Sequence, residues 1–150
     1  MLKKALVMVF LAQASIASAS QKLAVTNAAL KPITLETKKV TLVNYWATWC
    51  AACKVELVEF NHFDKYKSKV DFWFISLDSD TAKPKAEFGG LAPNFSDSLY
   101  YDSKMSTPDV FDLTGFPATI IMDSKGKVLH KFMGYTKENA SKIEDILKGS

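Results

Sequence analysis

The chain has 150 residues, 48% hydrophobic and 23% charged, with a formal net charge of +3. That length suits one domain with one core. The lysines are scattered, which excludes the clustered basic patch of a nucleic-acid footprint. Two basic residues, Lys3 and Lys4, supply two of the net charges and open the chain. The run Ala5–Ala14 that follows is apolar except for Gln13, and Ala17-Ser18-Ala19 fits a small-x-small cleavage site before Ser20. This is the pattern of a secretory signal peptide over 1–19, leaving a domain over 20–150. The apolar run is shorter than the ~20 residues a spanning helix needs, so cleavage is favoured over a retained anchor. No cysteine follows the run to carry a lipid.

The segment from Ser20 to Thr37 is mixed, carries Pro32, and predicts a short edge strand over Ile33–Glu36. Val40–Tyr45 is nearly continuously apolar, as suits a central strand covered on both faces. A helix is expected from about Ala51 to Lys67, with apolar Val55, Leu57, Val58, Phe60, Phe63 and Tyr66; Val55, Val58 and the Phe60/Phe63 pair fall roughly at helical spacing, and the aromatics are expected to pack on the sheet. Val70–Asp78 predicts the next strand, so these elements form a right-handed βαβ unit with parallel strands. Thr81–Phe88 predicts a helix that starts late because of Pro84 and stops at Gly89-Gly90. The stretch 91–107 is the least legible. Pro108–Leu113 predicts one or two helical turns with Thr107 as cap. Gly115–Asp123 and Lys127–Phe132 read as a hairpin turning at Ser124-Lys125-Gly126, ended by Gly134. Thr136 then caps an amphipathic helix whose apolar face is Ala140, Ile143, Ile146 and Leu147.

The chemistry concentrates at Trp46-Ala47-Thr48-Trp49-Cys50-Ala51-Ala52-Cys53, which holds both cysteines of the chain. A buried strand feeds a short turn, and the turn opens a helix. Cys50 therefore falls at or near the helix N-cap, with Cys53 one turn inside. Unpaired backbone N–H groups and the helix dipole favour negative charge at that end, so Cys50 should ionise more easily than a free cysteine. Two cysteines three apart cannot staple distant parts of a fold, and the spacing favours thiol–disulfide exchange. Exchange needs an attacking thiolate and a second thiol to release the mixed intermediate. Cys50 at the exposed helix tip is assigned the attack, and Cys53, partly covered by its own helix, the resolution. Structural zinc would need a second ligand pair, and His62 and His130 are single and far apart.

The string Val43-Asn44-Tyr45-Trp46-Ala47-Thr48-Trp49-Cys50, with the flanking strand and helix, resembles the thioredoxin fold. Within it, the string is most similar to the exported TlpA/ResA/DsbE (CcmG) branch. The resemblance implies an α/β, three-layer fold with a central mixed sheet of about five strands and helices on both faces. It implies a short strand at Leu99-Tyr100-Tyr101 ending in Asp102. It implies a cis bond between Phe116 and Pro117 facing the disulfide, with Phe116 turned outward to pair with an extended substrate segment. It implies that Glu56, one turn after Cys53, lies near the thiols and influences their protons. A solvated glutamate on an exposed helix face is the alternative reading of Glu56. Asn44 occupies the place where cytosolic thioredoxins carry a buried aspartate, and an amide cannot take that proton. Trp49 reads as a rim contact for partners or as core packing, and Lys54 as solvated.

With these residues, the resemblance implies an exported protein-disulfide reductase, as in cytochrome c maturation. The expected partners are disulfide-containing proteins and a membrane thiol reductase that supplies electrons; the chain itself is expected to be a monomer. No dissociable cofactor is expected, because the dithiol is the redox group and the sequence has no GxGxxG. Two alternatives stay open: an oxidant that donates its disulfide, and a copper-binding module using Cys50 and Cys53 as soft ligands. The copper reading needs a third ligand, and Met122 and Met133 are expected in the core.

Overall fold

The computed structural model describes residues 21–150; the signal-peptide reading of 1–19 lies outside the described residues. In chain order the elements are β1 (Lys22–Thr26), β2 (Pro32–Glu36), β3 (Val40–Trp46), α1 (Ala51–Phe60), β4 (Val70–Ser76), α2 (Ala82–Leu91), β5 (Leu99–Tyr101), β6 (Ala118–Met122), β7 (Val128–Met133) and α3 (Lys137–Lys148). One mixed sheet runs β2-β1-β5-β4-β3-β6-β7, seven strands rather than about five. β1, a strand not read from the sequence, lies between the edge strand β2 and β5, and its Leu23 and Val25 alternate inward as a strand with one buried face requires. β3 and β4 pair in parallel from Val40↔Val70 to Trp46↔Ser76, as the βαβ reading requires.

Two apolar clusters sandwich the sheet. Alternate residues of β3 divide between them: Leu42 and Trp46 enter one cluster, Val43 and Tyr45 the other. The first cluster takes side chains from all three α-helices, including Leu57, Phe88 and Ile143. Helical segments lie on both faces but unequally: among the described residues the second face carries only the 3₁₀ turn Pro108–Phe111, seated by Phe111 against Tyr45. Among the described residues, no helix is long and apolar enough to cross a membrane.

The region following the Cys50–Cys53 motif departs from the sequence expectation in phase and length. α1 stops at Phe60 and tightens into a 3₁₀ segment over Asn61–Tyr66. Residues three apart eclipse on a 3₁₀ turn, so Phe60, Phe63 and Tyr66 all reach the core, with neighbouring ring centroids 4.8 and 6.3 Å apart. Val55 and Val58, which by spacing share a helical face with Phe60 and Phe63, are instead 53% and 56% exposed. The inward face carries Cys53, Glu56, Leu57 and Phe60. Leu57→Ala should therefore cost about 2–5 kcal/mol, whereas Val58→Ala should stay within about 0.5 kcal/mol of the parent. Urea unfolding of the two variants checks the phase of this helix.

α2 also runs further than expected, through both Pro84 and Gly89-Gly90. Pro84 lies in the first turn, where its missing N–H has no intrahelical partner to lose. The two glycines face solvent and do not end the helix. Thr107 precedes the 3₁₀ turn but does not cap it; its hydroxyl donates to Asp102 Oδ2 at 2.7 Å.

Candidate functional site

β3 delivers the chain to the C-terminal end of the sheet, and residues 47–49 turn it into α1. Cys50 is the N-cap of α1, with extended backbone (φ −104°, ψ 100°), and its Sγ accepts from the Cys53 N–H at 3.3 Å. Cys50 and Cys53 form a disulfide with Cα atoms 5.3 Å apart. Cys50 is half-buried, and Cys53 is sealed in the core. Trp49 stands 61% exposed beside Cys50, which rules out its core-packing reading.

A buried carboxylate fixes this turn. Asp78, two residues beyond β4, accepts from the Thr48 N–H at 3.0 Å and from the hydroxyls of Thr48 and Ser76. Parallel pairing brings the ends of β3 and β4 together, so Asp78 can hold the residues that present Trp49 and Cys50. Across β3 on the other side, the register Tyr45↔Ala118, carried one residue further, sets Pro117 beside Trp46. The Phe116–Pro117 peptide bond is cis. Pro117 is buried, while Phe116 and Cys50 are each half-buried and pack against both apolar clusters.

Behind the disulfide lies a polar group inside the core. Glu56, one turn after Cys53, is only 2% exposed, so the solvated-glutamate reading is wrong. Its Oε2 accepts from Asn44 Nδ2 at 2.7 Å, and the same Nδ2 donates to Thr119 Oγ1 at 3.0 Å. Asn44 and Thr119 are register partners on β3 and β6, and both are fully buried. Burial pushes the Glu56 carboxyl up to about 7, against a smaller lowering by the Asn44 hydrogen bond.

The model of one protein family, Redoxin, matches residues 13–147. The chain belongs to the Redoxin family. Among curated relatives, it is 29% identical over 116 residues to the thiol:disulfide interchange protein HelX of Rhodobacter capsulatus, covering 75% of this chain and 63% of HelX. It is 25% identical over 111 residues to the thiol-disulfide oxidoreductase ResA of Bacillus subtilis, covering 73% of this chain and 60% of ResA. The matches therefore span less than two thirds of either relative's length. A crystal structure of a thiol:disulfide interchange protein DsbE from Chlorobium tepidum superposes with a TM-score of 0.76 at 23% identity, covering 87% of this chain and 94% of that one. The thioredoxin-like fold read from the sequence is thus the fold of this Redoxin chain.

Other sequence expectations fare unevenly. Lys54 is not simply solvated: its Nζ lies 2.7 Å from Glu87 Oε2, tying α1 to α2. Met122 is in the core, but Met133 is 42% exposed, because it ends the edge strand β7. His62 and His130 are both exposed. Among the described residues, no group of three or more His, Cys, Asp or Glu side chains is placed to hold a metal. Sequence reading missed Asp78 and Thr119 as parts of the site. The available signal was position alone: Asp78 just past a strand's C-terminal end, and Thr119 two residues after Pro117.

Proposed function

We propose that this Redoxin chain is a thiol–disulfide oxidoreductase that reduces disulfides in partner proteins. The observation that carries the reading is a disulfide whose outer sulfur caps a helix at the surface while the inner sulfur is sealed. HelX and ResA, both named for this exchange, support it.

In the reduced protein the Cys50 thiolate attacks one sulfur of a partner disulfide. The partner's S–S bond breaks, a mixed disulfide forms at Cys50, and the first partner thiolate leaves and takes a proton from water. Cys53 then gives its proton to the Glu56 carboxylate and attacks Cys50 Sγ. The mixed disulfide breaks, Cys50–Cys53 closes, and the second partner thiolate leaves. Two electrons pass to the partner, and a membrane thiol reductase returns them to the dithiol. Trp49 and Phe116 supply partner contacts beside Cys50, and Pro117 fixes the neighbouring backbone. The reading includes export through cleavage before Ser20 and a role like cytochrome c maturation, both supported by the resemblance to the TlpA/ResA/DsbE branch.

Equilibration of Cys50–Cys53 with glutathione tests the direction. A potential at or below about −200 mV, the glutaredoxin range, is expected for a reductant. A potential near the −120 mV or so of DsbA would make the chain a disulfide donor instead.

A further inference from the structure

We infer that Asn44 is a positioning residue for the resolving step, its amide holding Glu56 beside Cys53 in both protonation states of the carboxyl. The inference rests on the proposal that Glu56 takes the Cys53 proton.

Three features of the buried cluster lead to it. First, the two N–H bonds of Asn44 Nδ2 are both used, one on Glu56 Oε2 and one on Thr119 Oγ1. Second, Asn44 Oδ1 is buried with no hydrogen-bond partner. A buried acceptor left unpaired costs about 1–3 kcal/mol, so it calls for a physical explanation. Third, among the described residues no cation contributes to holding the Glu56 charge. Phe74 of β4 and Thr119 of β6 flank Asn44 on the sheet, and neither titrates. Lys54 on α1 is engaged with Glu87. Ionisable groups near Glu56 include Cys53, one turn back on α1, and the Tyr135 phenol, whose own proton affinity is raised by burial and then by Glu59 and Glu56. The Asn44 N–H is thus the identified group that favours the charged carboxylate.

An amide has a donor end and an acceptor end of nearly equal shape. With Glu56 ionised, the donor end faces it. Once Cys53 has passed its proton, the neutral carboxyl carries an O–H that needs an acceptor. A half-turn about the Cβ–Cγ bond presents Oδ1, which accepts from the Glu56 O–H and from the Thr119 hydroxyl. The orphaned oxygen of the ionised state is then the working atom of the neutral state. An aspartate at this position could not donate to the carboxylate, and a leucine could do neither.

The test reads the Glu56 carboxyl directly, by carbon NMR of the oxidised protein across pH, so it needs no exchange activity. Asn44→Leu removes the hydrogen bonds of both states, and because the one to the charged carboxylate is the stronger, the Glu56 acid constant should fall about tenfold, moving its midpoint up by about one pH unit. Asn44→Asp, a near-isostere should leucine not fold, should raise the Glu56 midpoint as well, because two carboxylates then share the site. The pH profile of insulin reduction should move by the same amount in Asn44→Leu, and should not move when that change is made in Glu56→Gln. An unmoved Glu56 midpoint in whichever variant folds, or an equal shift of the rate profile in the Glu56→Gln background, overturns the inference. A parent protein that does not reduce insulin overturns the proposed function and leaves the carboxyl titration as a separate result.

Discussion

Replacing Cys50 with serine should drop insulin reduction to the uncatalysed rate, whereas Cys53→Ser should stop the reaction halfway with insulin bound. The asymmetry follows from burial. Only the half-buried Cys50 can meet a partner's sulfur, and the sealed Cys53 can meet only Cys50. Without Cys50 there is no accessible attacker. Without Cys53 the first exchange proceeds and the mixed disulfide persists, because nothing within reach displaces it. Non-reducing electrophoresis and mass spectrometry check this. The expected adduct is insulin on Cys50 in the Cys53→Ser protein and none in Cys50→Ser. An adduct on Cys53 would reverse the assignment.

The second large effect is a stability that falls with rising pH because of Glu56. The unfolded glutamate titrates at its ordinary 4.5 and the folded one at about 7. Between those values the unfolded chain has released the proton and the folded chain retains it, so the folded state binds more protons. Stability therefore decreases as pH rises through that window, by up to about 1.4 kcal/mol per pH unit. The total is roughly 3 kcal/mol, reached above the folded midpoint. Below pH 4.5 the penalty is absent. Glu144 acts outside this window, since Lys65 and then Tyr66 hold its carboxyl down to about 2. Urea unfolding of oxidised Glu56→Gln should lose the decline between pH 5 and 8 that the parent shows. The same decline in both proteins would contradict a raised carboxyl at this position. The destabilisation marks Glu56 as a group retained at a cost, as expected of one that works as a proton acceptor near neutral pH.

The strand–turn–helix around Cys50 was legible because local rules agree there: a continuous apolar strand, then a helix whose N-cap side chain accepts from the N–H of its third residue. The inward face of α1 was not. Its valines at 55 and 58 face water and its glutamate at 56 faces the core, so apolar periodicity points the wrong way. No spacing rule anticipates a buried carboxylate, because only the amide of Asn44, 12 residues earlier, makes it tolerable. The cis bond at Pro117 came from family resemblance rather than from the residues themselves. β1 was missed although its alternation is regular, since five residues flanked by polar sequence give a weak signal. α2 was read too short because Pro84 and Gly89-Gly90 act as breakers only in a helix interior that lacks support. Here the proline falls in the first turn, and Phe88 packs against Trp46 and Phe74 to hold the rest.

The most direct test of the account is the pH dependence of iodoacetamide alkylation in the fully reduced protein, with each cysteine followed separately by mass spectrometry. The account predicts that Cys50 reacts first, with a midpoint below the roughly 8.5 of a free cysteine, and that Cys53 stays unmodified until the protein unfolds. Equal labelling of the two cysteines, or a Cys50 midpoint at or above that of the free thiol, would contradict it.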